Sequence, residues 1–198
     1  MVAAGAYLVL RLGPYLPESV RILLALCGLA TALLAGWQAL GSTQLKQALA
    51  HSTQSQLGLI LAAAATDTLA SGAWHLVVHG GFKAGLFLAS GLLLTMTALD
   101  KPKDLDKDAA TRDPLLLRGL ARRWPLLSVV FAVLLAALAG APGTASWLSK
   151  ETLLNGLGNL NLGAWKPLLQ LLFLLATGLT AAYTLRLGGL LLRKEHDP

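Results

Sequence analysis

Long apolar stretches dominate this chain, and polar residues interrupt them in few places. Val20–Gly41 (VRILLALCGLATALLAGWQALG) is a plain apolar run of membrane-spanning length. Gln44–Ala65 follows, with a polar first half (QLKQALAHSTQSQ) and an apolar second half. Thr68–Met96 is long enough to cross a bilayer with tilt or a local distortion. The run from Trp124 to about Gly158 is too long for one regular span and is interrupted by GAPG at Gly140–Gly143. Trp165–Leu192 closes on Arg193 and Lys194. Ahead of these, Met1–Gly13 is too short for a bilayer that needs roughly 20 residues, so it reads as the tail of a helix. The pattern predicts an all-α membrane protein. It has five transmembrane helices plus a truncated N-terminal helix, one helix being broken at Gly140–Gly143, in a single transmembrane domain over residues 1–198.

Composition strengthens this picture. Of 198 residues, 55% are hydrophobic and 13% charged, against about 25% charged in a typical soluble domain. The mean hydropathy is +0.62. Cys27 is the single cysteine, which excludes an internal disulfide and a cysteine-based metal site. A net charge of +6 raises the question of nucleic acid, but the basic residues lie between apolar segments without interleaved aromatics, so no nucleic-acid partner is expected. Membrane topology accounts for them better. The segment 100–123 carries Lys101, Lys103, Lys107, Arg112, Arg118, Arg122 and Arg123, which places it in the cytoplasm, and alternation brings Lys46 and the C-terminus to the same side. Its aspartates make it a mixed-charge, solvated connector. The opening residues lack the basic region and cleavage site of a signal peptide.

Within the apolar runs, three lysines stand out: Lys46, Lys83 and Lys150, the last followed by Glu151. An intramembrane charge costs at least about 2.5 kcal/mol on insertion scales, so each is a candidate functional site. Lys46 lies near a segment end and has the alternative of snorkelling to the interface. Lys83 and Lys150 lie deeper. His75, His79 and Lys83 are four apart and drift only about 80° around a helix, so they share one face. Two histidines at this spacing resemble zinc ligands, yet Leu, Val and Val separate them and no third ligand is nearby. A proton relay fits better, because imidazole both accepts and donates a proton near neutrality and a desolvated amine releases its proton more readily. Simple hydrogen bonding to neighbouring helices is the plainer alternative.

Gly80, Gly81 and Gly85 surround this stripe, weakening regular helix and favouring close packing or a local bulge. Ser52–Gln56 supplies hydroxyls and amides that either hold water in the preceding span or act as interhelical glue. In GAPGTASWLSKE, Pro142 removes a backbone donor, and Gly140 and Gly143 flank it, so a broken helix is expected. Irregular backbone at membrane depth is tolerated where it lines a cavity or is buried in protein. Lys150 follows the break by two turns. Glu151, its sequence neighbour, cannot share its face.

Several stretches together resemble one family, the antiporter-like membrane subunits of proton-pumping NADH:quinone oxidoreductase (complex I), membrane-bound hydrogenases and Mrp-type sodium/proton antiporters. The matching stretches are MVAAGAYLVLRL, QLKQALAHSTQSQLG, HLVVHGGFKAGLFLASG, GAPGTASWLSKETLL and AAYTLRL, in the family's order. The resemblance implies an inverted-repeat fold of which this chain corresponds to the second five-helix half-channel. It makes Lys83 the central lysine, His75 and His79 the linking histidines, and Lys150 the broken-helix lysine, with Lys46 nearer the cytoplasm. Gln44–Leu45, His51, Gly143 and Ala145–Ser146 depart from the family's wording. The first repeat, with its glutamate–lysine pair, is missing from this sequence.

The expected function is a proton or cation/proton translocating half-channel in a multisubunit complex. The path would run through Lys46, His75, His79, Lys83, Lys150 and Glu151, beside the helix break at Gly140, Pro142 and Gly143. Two alternatives are a structural subunit beside an active partner and a proton-path subunit of a bicarbonate-uptake complex. No cofactor or metal is called for, and catalysis is not expected of the chain alone, though a place in an NADH:quinone oxidoreductase fits. The expected partners are other membrane subunits, including an upstream polypeptide carrying the first repeat, together with the lipid bilayer, protons and, as a second ion, Na+. The expected location is the bacterial inner membrane.

Overall fold

The computed structural model describes residues 2–66, 69–100, 120–158 and 165–192. These contain helices and no strand. We number them α1 (Val2–Leu12), α2 (Glu18–Gly41), α3 (Leu45–Ala63), α4 (Leu69–Asp100), α5 (Pro125–Ala139), α6 (Ala145–Gly158) and α7 (Trp165–Leu192), with a 3-10 turn at Gly13–Tyr15 and a one-turn helix at Leu120–Arg123. α2, α7 and the Leu69–Leu93 part of α4 are long and apolar enough to cross a membrane. α3 is of spanning length but more polar, and α5 is a shorter apolar helix. The segment 101–119 and residues 193–198, on which much of the topology expectation rests, lie outside the described residues.

The bundle is arranged for lipid rather than water. Large apolar side chains face outward, with Trp37 71% and Leu88 75% exposed, while Ser52, Ser55, Gln56 and His75 are at 0% inside. In water this arrangement would expose apolar surface and desolvate polar groups at once. In a bilayer the outer face is matched to its solvent, and the interior polar groups bond to one another.

The tightest seam joins α2 and α3. Buried Ala25, Gly28, Ala32, Ala35, Gly36 and Ala39 form a small-residue stripe along α2. A β-carbon at Gly28 would lie 2.6 Å from both the Gly58 carbonyl oxygen and the Ala62 nitrogen, so the two backbones are in direct contact. Ser55 Oγ donates to the Ala32 carbonyl at 2.8 Å across the same seam. α7 packs on α2 as well. Arg186 donates from Nη1 to the carbonyls of Leu40 and, at 3.1 Å, Ser42, while Ser42 Oγ donates to Gln38 O at 2.7 Å, so the end of α2 is satisfied in part from α7.

The expected bulge in α4 does not form. The helix runs unbroken through Gly80 and Gly81, where an added β-carbon would meet nothing within 4 Å, and Gly85 instead admits Leu134 of α5. A continuous α-helix keeps its backbone groups bonded within the segment, which in a membrane outweighs the weak helix propensity of glycine.

Candidate functional site

The break between α5 and α6 follows from local chemistry. Gly140 takes the left-handed conformation (φ 81°), Ala141 N–H reaches back to Ala136 O at 3.0 Å, and Gly140 N–H reaches Ala137 O at 3.1 Å. This is a Schellman closure, which uses two of the last carbonyls of α5. Gly143 is also left-handed (φ 86°), and Thr144 then caps α6 by accepting the Trp147 N–H at 3.2 Å. Pro142 falls between closure and cap, where it interrupts no helical bond.

The two carbonyls that the Schellman closure leaves over are taken by Lys150. Its Nζ donates to Leu138 O at 2.9 Å and Ala139 O at 3.0 Å, a cation at a helix C-terminus. Lys150 is buried, and Glu151, one residue on, is exposed on the outer face of α6. The expectation that the two do not face each other is met.

Lys83 is buried one helix away. Its Nζ donates to Leu49 O at 3.1 Å and to Ser52 Oγ, and Ser52 in turn donates to Leu49 O at 2.9 Å. Both buried amines are thus held by neutral oxygens on neighbouring helices.

His75 bridges three helices. Its Nδ1 is 2.8 Å from Ser149 Oγ on α6, and its Nε2 is 3.2 Å from Gln56 Oε1 on α3. Gln56 Nε2 passes the chain to Thr180 Oγ1 on α7 at 3.3 Å. His79 lies one turn further along α4, its ring stacked 6.5 Å from that of His75 and edge-on to Phe82 at 5.4 Å. Its Nε2 is buried and has no hydrogen-bond partner among the described residues. Lys46, in the first turn of α3, is exposed. Among the described residues no group of three His, Cys, Asp or Glu side chains is placed to hold a metal.

Sequence reading alone missed three members of this site: Ser149, Thr180 and Tyr183. Tyr183 is fully buried, and its hydroxyl faces Thr180, Gln56 and Ser52 without meeting hydrogen-bond geometry with any of them. It therefore stands between the Lys83 and His75 groups. The available signal was a hydroxyl next to a lysine in SKE and a tyrosine–threonine pair in AAYTLRL.

Buried lysines and a helix-bridging histidine beside a broken helix mark a membrane protein with a polar interior. The chain belongs to the family described as NADH:quinone oxidoreductase/Mrp antiporter, TM, whose model matches residues 1–180. It is an integral membrane protein of antiporter-like subunit type, as the residue-level resemblance implied. It is 36% identical over 189 residues to NAD(P)H-quinone oxidoreductase subunit 5, organellar chromatophore 1, of Paulinella chromatophora, covering 94% of this chain and 27% of that one. The chloroplastic subunit 5 of Nasturtium officinale is 33% identical over the same length, with 24% of its chain covered. This chain thus spans about a quarter of the length of those curated relatives.

Among solved structures, a chain of the Mrp complex from Dietzia sp. DQ12-45-1b aligns over 98% of this chain and 20% of its own, with TM-score 0.81 and 31% identity. A chain of respiratory complex I from Thermus thermophilus aligns over 91% of this chain and 36% of its own, with TM-score 0.74 and 26% identity. The similar proteins are subunits of multisubunit complexes, so membrane subunits are the kind of partner this chain's relatives have.

Proposed function

We propose that the chain is a proton-conducting half-channel, a single transmembrane domain in a multisubunit cation/proton translocating complex of the bacterial inner membrane. The observation carrying this reading is the His75 bridge. A titratable ring with no exposure to solvent joins α3, α4 and α6 and lies in the same interior as two buried lysines. Such groups are costly in a membrane interior and are retained there for function. In this reading Lys46 stands at the cytoplasmic mouth. Lys83 is the central carrier, His75 and His79 link it to Lys150, and Lys150 exchanges protons at the helix break. Glu151, facing outward, contributes at the exit surface, and Na+ remains the second candidate ion.

The groups are held in separate clusters, one around Lys83, one around His75 and one around Lys150, and His79 Nε2 has no bond to either side. Transfer between clusters therefore requires a water molecule or a side-chain rotation. The same separation favours the second reading, a structural subunit in which these groups only hold helices together.

A Lys83→Met variant, made in the full-length polypeptide and assembled in its complex, distinguishes the two. Loss of proton-coupled activity in vesicles with normal assembly supports conduction. Full activity would leave the structural reading standing.

A further inference from the structure

The Ser149 hydroxyl has one hydrogen and two neighbours that can accept it. Its Oγ is 2.8 Å from His75 Nδ1 and 2.9 Å from the Ser146 carbonyl oxygen. The opposite side of the ring is fixed differently. Thr180 Oγ1 donates to Ala176 O at 2.9 Å and accepts from Gln56 Nε2, which turns Gln56 Oε1 toward His75 Nε2 as an acceptor. Nε2 therefore carries a hydrogen, and Nδ1 is the nitrogen whose protonation is open.

With Nδ1 unprotonated, Ser149 donates to it. With Nδ1 protonated, the nitrogen donates to Ser149 Oγ, and the hydroxyl hydrogen turns to Ser146 O. Either arrangement leaves both ring nitrogens bonded. We infer that Ser149 is a positioning residue whose hydroxyl rotation lets His75 gain and lose a proton at Nδ1 without leaving a buried donor or acceptor unpaired.

The step balances. A proton delivered to Nδ1 through a water molecule or a side-chain rotation gives His75 one positive charge, while the Ser149 hydroxyl keeps its own hydrogen and turns it from Nδ1 to Ser146 O. Release reverses both movements. An unmatched buried partner would cost about 1–3 kcal/mol in one of the two states, and that penalty would oppose turnover. The titratable groups facing His75 are His79 on its own helix and Lys150 on α6. This inference rests on the proton-relay reading above.

The test uses the full-length polypeptide in its complex, labelled with 15N-histidine and read by solid-state NMR. The His75 ring signals are identified as those lost in His75→Gln. Ser149→Ala is expected to shift the Nδ1 signal toward a free acceptor and to slow proton transfer about 3- to 10-fold, the loss of roughly one hydrogen bond. Ser149→Thr, which keeps the hydroxyl, is expected to restore both. An unchanged Nδ1 signal in Ser149→Ala overturns the inference, as does a Thr variant that assembles normally yet behaves like Ala. Full translocation in His75→Gln would instead overturn the relay reading, while the NMR comparison would still report on the hydrogen bond.

Discussion

Lys150 lies across Gly140: a β-carbon at position 140 would stand 3.1 Å from Lys150 Cδ and 3.3 Å from its Nζ. The glycine that ends α5 thus also makes room for the amine that caps it. Backbone conformation and side-chain access are met by one residue.

Gly140 and Gly143 should respond differently to alanine. Both are left-handed, which costs an alanine roughly 1–2 kcal/mol, but Gly143 has nothing within 4 Å of its β-carbon position. Gly143→Ala should show that strain alone in a thermal unfolding measurement. Gly140→Ala should lose more stability and also lower translocation, because it pushes Lys150 off the Leu138 and Ala139 carbonyls. Equal effects of the two variants would refute a role for the Lys150 contact.

Gly28 tests the seam between α2 and α3. Its β-carbon position is 2.6 Å from backbone atoms, which cannot rotate aside as a side chain can. Gly28→Leu should destabilise the bundle by roughly 1–3 kcal/mol or more and reduce recovery of assembled complex. Gly178→Ala, at a position with open space, should leave both near normal. A fully stable Gly28→Leu would mean that the backbones do not touch.

Tyr183 separates packing from passage. Among the described residues its hydroxyl has no partner in good hydrogen-bond geometry, so Tyr183→Phe should change stability by less than about 1 kcal/mol. The same hydroxyl faces Ser52, which holds Lys83, and Gln56, which holds His75. Translocation should therefore slow by roughly tenfold or more, measured as proton uptake in vesicles. An unchanged rate would exclude Tyr183 from the path.

Much of the architecture was legible in the residues. Apolar run lengths marked the helices, and Gly140, Pro142 and Gly143 marked the break, because each signal is local. The alignment of His75, His79 and Lys83 followed from helical periodicity. The sequence did not show which members of Ser52–Gln56 turn inward. Ser52, Ser55 and Gln56 are buried and Gln54 is exposed, a spacing of three and four that the block's uniform polarity hid. Nor did it find the partners of His75. Ser149 is 74 residues away in the chain, and Gln56 meets Thr180 across 124. Such pairings are set by how helices pack. The small-residue stripe of α2 was present in plain view, but in an apolar run alanine and glycine read as filler until the facing helix is known.

The Arg186 contact with Leu40 and Ser42 has a consequence for how such a unit multiplies. It sets the late part of α7 beside the last residues of α2, so the two helices run in the same direction. From the start of α2 to the end of α7, the polypeptide therefore enters at one end of the bundle and leaves at the other. A unit with this parity changes sides each time it is traversed. A second copy joined after it by a short link would begin on the opposite face and stand upside down. Chain direction alone, with no further signal, would then turn duplication into antiparallel pairing.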